Sequence, residues 1–201
     1  MNKSDTESAY NQFKLAIHRH CDPPESEWLF YKSNMIPKVF KKGEFLLQPG
    51  EPSNIYAFIY SGIMKQYFTT EDGKEFITRF DCPGETSGDA ATLWKDVPAR
   101  QFIQAVIDVK ALVSTPGLLK KLRARHSVWH EGGRSLAEIR FFEKCDREYE
   151  LLSFSAEKRY QLFLKRHGVN SENIPQKDIA CYIGVTSSSL NKIIKKFKNN
   201  I

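Results

Sequence analysis

The hydrophobic positions of this chain change period twice between its ends. Over residues 7–21 and 24–34 the apolar residues suit short helices, the second ending near Asn34. From 36 to 115 the texture turns to short apolar or alternating runs: VFKKGEFLLQPGE, IYAFIYSGIMKQYFTTEDGKEFITRF and FIQAVIDVKALVS. Gly43, Gly50, Gly62, Gly73 and Gly84 punctuate them, and Asp72-Gly73 is a hairpin signal. About eight short strands without a helical interruption predict a closed or sandwich-like antiparallel jelly roll. After Gly117 the helical period returns, with Leu118, Leu119, Leu122 and Trp129 on one helix and a break expected at Gly132-Gly133. A longer helix is predicted over 135–154, where Phe141, Phe142, Cys145, Tyr149 and Leu152 share an arc of about 100°. Packing on the barrel fits that stripe, and so does a two-fold contact with a second copy. The position of so long a helix between two domains favours the second copy. Ser155 is the expected N-cap of a helix 156–167 that ends at Gly168.

The last helical stretch is the most informative. After Pro175, the positions Ile179, Ala180 and Ile183 give a short helix with one buried face. Gly184 permits a tight turn, Val185 plugs it, and Thr186 is a good N-cap. Leu190, Ile193, Ile194 and Phe197 then follow at i, i+3, i+4 and i+7. The opposite face, centred on Ser188, Lys192 and Lys195, is polar, cationic and free of carboxylates. This is the pattern of a helix-turn-helix, with 176–183 as supporting helix and 187–197 as recognition helix. A helical hairpin that only packs fits the same residues.

Charge separates those two readings. Residues 151–201 hold nine Lys or Arg against Glu157, Glu172 and Asp178, a balance of +6. The whole chain is also +6, so residues 1–150 carry 21 charges of each sign and are neutral. A basic segment appended to a neutral body is the electrostatic footprint of a polyanion partner. A recognition helix enters the major groove with its N-terminal part deepest, so Ser187, Ser188 and Lys192 are expected at base edges, with Ser189 beside them. Lys195 and Lys196, one turn further out, are expected at the DNA backbone, and Thr186 and Gln176 at phosphates.

Other chemistry is largely excluded. A metal-dependent jelly-roll enzyme needs imidazole ligands inside the barrel. Yet His18, His20, His126, His130 and His167 all lie outside residues 21–125, so no enzyme is expected. His126 and His130 stand at i, i+4 and could share a metal, although such a pair is more often solvated. Cys21, Cys82, Cys145 and Cys181 form no CxxC pair, which argues for reduced, mostly buried thiols rather than a disulfide framework, a zinc knuckle or a cluster. No apolar run approaches about 18 residues and the N-terminus lacks an apolar signal core, so a cytoplasmic protein with no membrane partner is expected.

The order of parts resembles the Crp/Fnr family of bacterial transcription regulators over roughly residues 10–198. "FKKGEFLLQPGEPSNIYAFIYSGIMKQYFTTEDGKE" and "IPQKDIACYIGVTSSSLNKIIKK" carry the resemblance most specifically, and "LLSFSAEKRYQLFL" looks like the first helix of the family's DNA domain. The implied organisation is α+β. An N-terminal antiparallel jelly roll with flanking helices spans 1–134, a long dimerisation helix 135–154, and a C-terminal (winged) helix-turn-helix 155–201. The implied function is that of a dimeric, sequence-specific DNA-binding regulator, its partners being double-stranded DNA, a second copy and RNA polymerase. The alternative from another class is a binding module whose basic hairpin docks an acidic protein.

The family's phosphate cassette has Gly-Glu opening a short helix and, about ten residues later, Arg followed by a small residue. Of the pairs Gly84-Glu85 and Gly88-Asp89, the second matches better, because Arg100 lies 15 residues after Glu85 but 11 after Asp89. Asp89 is one methylene shorter than Glu, and Gln101 replaces the small residue. The positions that face the purine in cyclic-AMP-responsive members correspond to Lys144 and Cys145, where no Ser or Thr pair stands. Arg100 is then an anchor for a different anion or simply a surface arginine. The resemblance therefore implies no required cofactor, an unknown small-molecule effector if any, and an altered cassette that does not suit cyclic AMP.

Overall fold

The computed structural model describes residues 1–52, 55–95 and 97–198, and for residues 91, 93, 94 and 198 the backbone alone. Helices α1 (Lys3–Ile17) and α2 (Glu25–Asn34) come first. The first begins earlier and stops sooner than its pattern predicts. Asn2 caps it by accepting from the Asp5 N–H at 2.7 Å, and residues 18–21 form a turn in place of a last helical turn. Eight strands follow, interrupted by one short helix. They are β1 (Ile36–Phe40), β2 (Phe45–Leu47), β3 (Tyr56–Ser61), β4 (Met64–Thr69), β5 (Glu75–Asp81), β6 (Thr86–Ser87), β7 (Phe102–Ala105) and β8 (Val109–Ser114). Helix α3 (Ala90–Lys95) sits between β6 and β7.

Two antiparallel four-stranded sheets, ordered β1-β8-β3-β6 and β2-β7-β4-β5, make the jelly roll. Phe40, Ile59, Met64, Ile103, Val109 and Ala111 fill the space between them. At the β3–β4 turn Gly62 has φ +92°, and a Cβ there would lie 2.3 Å from the Asp108 carbonyl oxygen, so this turn requires glycine. A second core forms where α1 and α2 cover the barrel together with α4 (Pro116–Arg125) and the start of α5 (Val128–Ser153). Phe13, Trp28, Tyr31, Phe58 and Trp129 meet there, and the buried Glu27 carboxylate is satisfied by the Trp129 indole N–H at 3.1 Å and by Arg125 at 2.9 Å.

Gly132 and Gly133 do not break the chain as their composition suggests. The break falls at His126–Ser127, where His126 is extended and its Nδ1 accepts from the Val128 N–H at 3.1 Å. Beyond it α5 runs unbroken through both glycines. A helical glycine costs about 1 kcal/mol, which a 26-residue helix with tertiary contacts absorbs. Gly132 also has a packing reason, since a Cβ there would lie 2.6 Å from the Cys21 thiol.

The chain closes with α6 (Ala156–His167), a 3-10 turn at Gly168–Asn173, α7 (Gln176–Ile183) and α8 (Ser187–Lys198). Ser155 caps α6 by accepting from the Lys158 N–H at 3.2 Å, and Gly168 ends it with φ +49°. Among the described residues from 155 onward every element is helical and none forms the wing implied by the resemblance. A third core joins these helices to the outer face of the barrel: Ile63, Tyr67, Ile77 and Phe80 pack with Phe163, Ile179, Tyr182, Ile183 and Leu190. Cys21, Cys82, Cys145 and Cys181 are all free thiols. Among the described residues, no helix is long and apolar enough to cross a membrane, and no group of three or more His, Cys, Asp or Glu could hold a metal ion.

Candidate nucleic-acid interface and effector cassette

The C-terminal pair of helices has helix-turn-helix geometry in detail. Gly184 is left-handed at φ +74°, and the Val185 N–H reaches back to the Ala180 carbonyl at 3.0 Å, closing α7. Thr186 caps α8, its hydroxyl accepting from the Ser189 N–H at 3.2 Å. Leu190 and Ile193 are buried, and Phe197 packs edge-on against Tyr160 of α6. Ser187, Ser188, Ser189, Lys192, Lys195 and Lys196 are exposed, as are Thr186 before them and Gln176 at the start of α7. One of these leans inward, because the Lys196 ammonium lies 3.9 Å from the Glu157 carboxylate at the start of α6.

The orientation of α7 is fixed from two sides. Toward the barrel, Asp178 meets Lys65 of β4 at 3.3 Å, and the Cys181 thiol accepts from the Ile77 N–H at 3.4 Å and donates to the Glu75 carbonyl at 3.1 Å. From the other side, Arg147 of α5 donates to the Tyr182 carbonyl and stacks over its ring at 4.0 Å, while Arg159 of α6 donates to the Ile183 carbonyl at 2.7 Å. The last carbonyls of α7, which have no partner within the helix, are thus held by guanidinium groups.

The region of the expected effector cassette is polar and largely occupied by the chain's own side chains. Gly88 abuts the Tyr56 ring, where a Cβ would lie 2.3 Å away, and the Tyr56 hydroxyl donates to Thr86 at 2.9 Å. Asp89 is buried, and its carbonyl accepts from the Thr92 hydroxyl at 2.8 Å. Gln101 donates to Gln66 at 3.2 Å, Gln66 donates to Asp81 at 2.7 Å, and Ser87 donates to the same Asp81 oxygen at 2.6 Å. Arg79 completes the set: its guanidinium pairs with Asp81, with Glu85 at 3.1 Å and with Glu143 of α5. Burial works against the Arg79 charge, but the Asp81, Glu85 and Glu143 carboxylates outweigh it and hold the group protonated. Burial raises the Glu85 carboxyl above its usual range, against the pull of Arg79.

Comparison with known proteins bears on both halves. The sequence profile of the cyclic nucleotide-binding domain matches residues 37–126, which is the barrel and α4. An anaerobic regulatory protein of Haemophilus influenzae is 26% identical over 180 residues, covering 80% of this chain and 66% of the relative, just under two thirds of its length. FixK2 of Bradyrhizobium japonicum superposes with a TM-score of 0.74 at 19% identity, covering 83% of this chain and 85% of that one. A Crp/Fnr-family protein of Eubacterium rectale gives 0.72 at 15% identity, covering 94% and 88%. Residues 37–126 thus match a cyclic nucleotide-binding domain, and the chain as a whole shares the fold of FixK2 and of the Eubacterium rectale protein.

The residues expected around an effector do not all converge. Gly88, Asp89 and Gln101 gather beside the polar chain that ends on Asp81. Arg100 is exposed, and Lys144 and Cys145 lie on the exposed side of α5. The α5 residues that turn toward the cassette are Glu143 and Arg140, whose guanidinium donates to the Thr86 carbonyl at 3.2 Å. Sequence reasoning missed Arg79, Asp81 and Gln66 as well. One signal was present: Arg79 and Asp81 stand two apart in a predicted strand, so two charges share a face that has to go somewhere.

Proposed function

We propose that this chain is a dimeric regulator of the Crp/Fnr type that binds double-stranded DNA sequence-specifically and does not take cyclic AMP as its effector. The observation that carries the DNA reading is α8. Its exposed face presents three hydroxyls and then Lys192, Lys195 and Lys196 with no carboxylate, on a helix whose other face is buried. Such a face suits a groove lined by phosphates and acceptor-rich base edges. The second copy is supported by the outer side of α5, where Phe141, Phe142, Tyr149 and Leu152 are 62%, 63%, 60% and 80% exposed. A contiguous apolar stripe of this kind is unusual on a free surface. Contact with RNA polymerase is expected from the resemblance alone.

The effector reading follows from the cassette. The Tyr56 ring fills the space above Gly88, and Arg79 with its three carboxylates stands where the barrel meets α5. The α5 residues turned toward the cassette are charged rather than hydroxylic. The functional test is selection of binding sites from random DNA in the presence of competitor. Recovery of a consistent two-fold site supports the proposal, and only salt-labile, sequence-indifferent binding favours the acidic-protein alternative. For the cassette, calorimetry with cyclic AMP is expected to show no binding at micromolar concentrations.

A further inference from the structure

On α5 from Arg140 onward the residues that face the rest of the chain are charged, while the large apolar ones face out. Arg140, Glu143, Arg147 and Glu150 recur at spacings of three, four and three, which is one face of a helix. The N-terminal half of this stripe belongs to the barrel. Glu143 accepts from Arg79 of β5 and, at 2.9 Å, from Arg140, which itself reaches the Thr86 carbonyl of β6. Its C-terminal half belongs to the helix-turn-helix. Glu150 is buried and pairs with Arg147 at 3.4 Å and with Arg166 of α6, and Arg166 donates to the Tyr182 hydroxyl at 2.8 Å. The third side is closed directly by α7 on β5, through Cys181 and Ile77. Barrel, α5 and helix-turn-helix therefore touch in a closed triangle, and two of its three sides are ion pairs on one stripe.

We infer that Arg79 and Glu143 are positioning residues, a built-in clamp that sets the orientation of the recognition helix. The inference rests on the DNA-binding reading above and adds to it the means by which the orientation is held. Arg79 can do this because it bridges elements. Asp81 and Glu85 fix its guanidinium to the barrel, and Glu143 is the partner on α5. Without Glu143, the barrel holds α5 near the cassette only through Arg140 and Thr86 among the polar contacts described here. A rotation of α5 would carry Arg147 and Glu150, and with them the end of α7.

The test compares wild type with Glu143→Ala, Glu143→Gln and Arg79→Met, all on the full chain and below its unfolding temperature. Glu143 is half-exposed, so its variants are expected to fold. Arg79→Met strands the fully buried Asp81, and if it fails to fold the Glu143 variants decide alone. Expected for both Glu143 variants is a loss of at least fivefold in operator affinity with base preference and salt slope unchanged. Faster hydrogen exchange is expected over residues 176–198, with the central barrel strands as protected as in wild type. In the Arg79→Met background the Glu143→Ala effect is expected to vanish. A residue serving stability alone would lower the unfolding temperature and leave these readouts where they were. Operator affinity within twofold of wild type with unaltered exchange in 176–198, or an undiminished Glu143→Ala effect in Arg79→Met, overturns the inference. If wild type selects no DNA site, the functional reading fails, and the exchange comparison still decides whether the clamp exists.

Discussion

Lys192 and Lys195 look alike in composition and differ in depth along α8. Lys192 follows the exposed serines by one turn and Lys195 stands one turn further along; on the proposed DNA-binding reading the first would donate to guanine O6 and N7 and the second would meet the DNA backbone. Lys192→Ala is therefore expected to cost about 1–3 kcal/mol and to relax preference at one base in each half-site. Lys195→Ala is expected to weaken all sequences about equally and to reduce the salt slope by about one phosphate per subunit. Titrations of both variants against the selected site and its single-base variants, across a salt series, check this; a uniform loss for both would remove Lys192 from base reading. At the same scale, Gly62→Ala drives a Cβ against the Asp108 carbonyl and the Val109 backbone at a left-handed φ, and is expected to destabilise by about 2–4 kcal/mol in urea unfolding. Single residues were legible in the sequence where local geometry alone demanded them: Thr186 as cap, Gly184 as left-handed turn, Ser155 as cap. Arg79 was not, because its partners come from β5, the turn after it and α5, up to 64 residues away.

At the scale of elements, the strand count and the longer helices followed from periodicity; the short α3, which interrupts strands expected to run without a helix, and the faces did not. Pairing of β4 with β5 shifts between Gln66 and Tyr67, leaving Thr78 as an extra residue on β5. Strict alternation would put Ile77 on the same face as Arg79 and Asp81. The bulge instead lets Ile77 and Phe80 both turn outward to α7 and α6, while Arg79 and Asp81 turn in toward the cassette. A pattern reading with period two has no means of seeing that change of parity. The α5 stripe shows the converse. Its apolar arc was read correctly as one face, but only the structure tells that this face is uncovered and the charged one is inside. Phe142→Glu is expected to place a charge in the seam between two copies at a cost of several kcal/mol and so to yield monomers. Sedimentation at tens of micromolar compares it with wild type, and a wild-type monomer would refute the dimer.

For the molecule as a whole, the contact between barrel and helix-turn-helix carries a pH signature. His167, at the end of α6, is packed among Phe80, Phe163 and Tyr182, with the Cys82 thiol 3.7 Å from its Nδ1 and, among the described residues, no partner for its Nε2. Burial first, then Arg166, Arg79 and Arg147, push its pKa from 6.5 down to about 4. Between those values the unfolded chain binds the proton and the folded chain does not, so stability is complete above about pH 6.5 and falls as the pH drops toward 4. The full span amounts to about 3 kcal/mol. Urea midpoints measured across that window are expected to fall for wild type, and the slope to flatten in His167→Phe; equal slopes would show that other groups set it. The same contact has a consequence for synthesis. Its hydrogen bonds join residues 104 to 113 positions apart, so the barrel's outer wall waits for residues 176–183 to leave the ribosome. A chain released before residue 155 would display Tyr67, Ile77 and Phe80 to water as an adhesive patch, marking an unfinished copy for capture by chaperones or proteases.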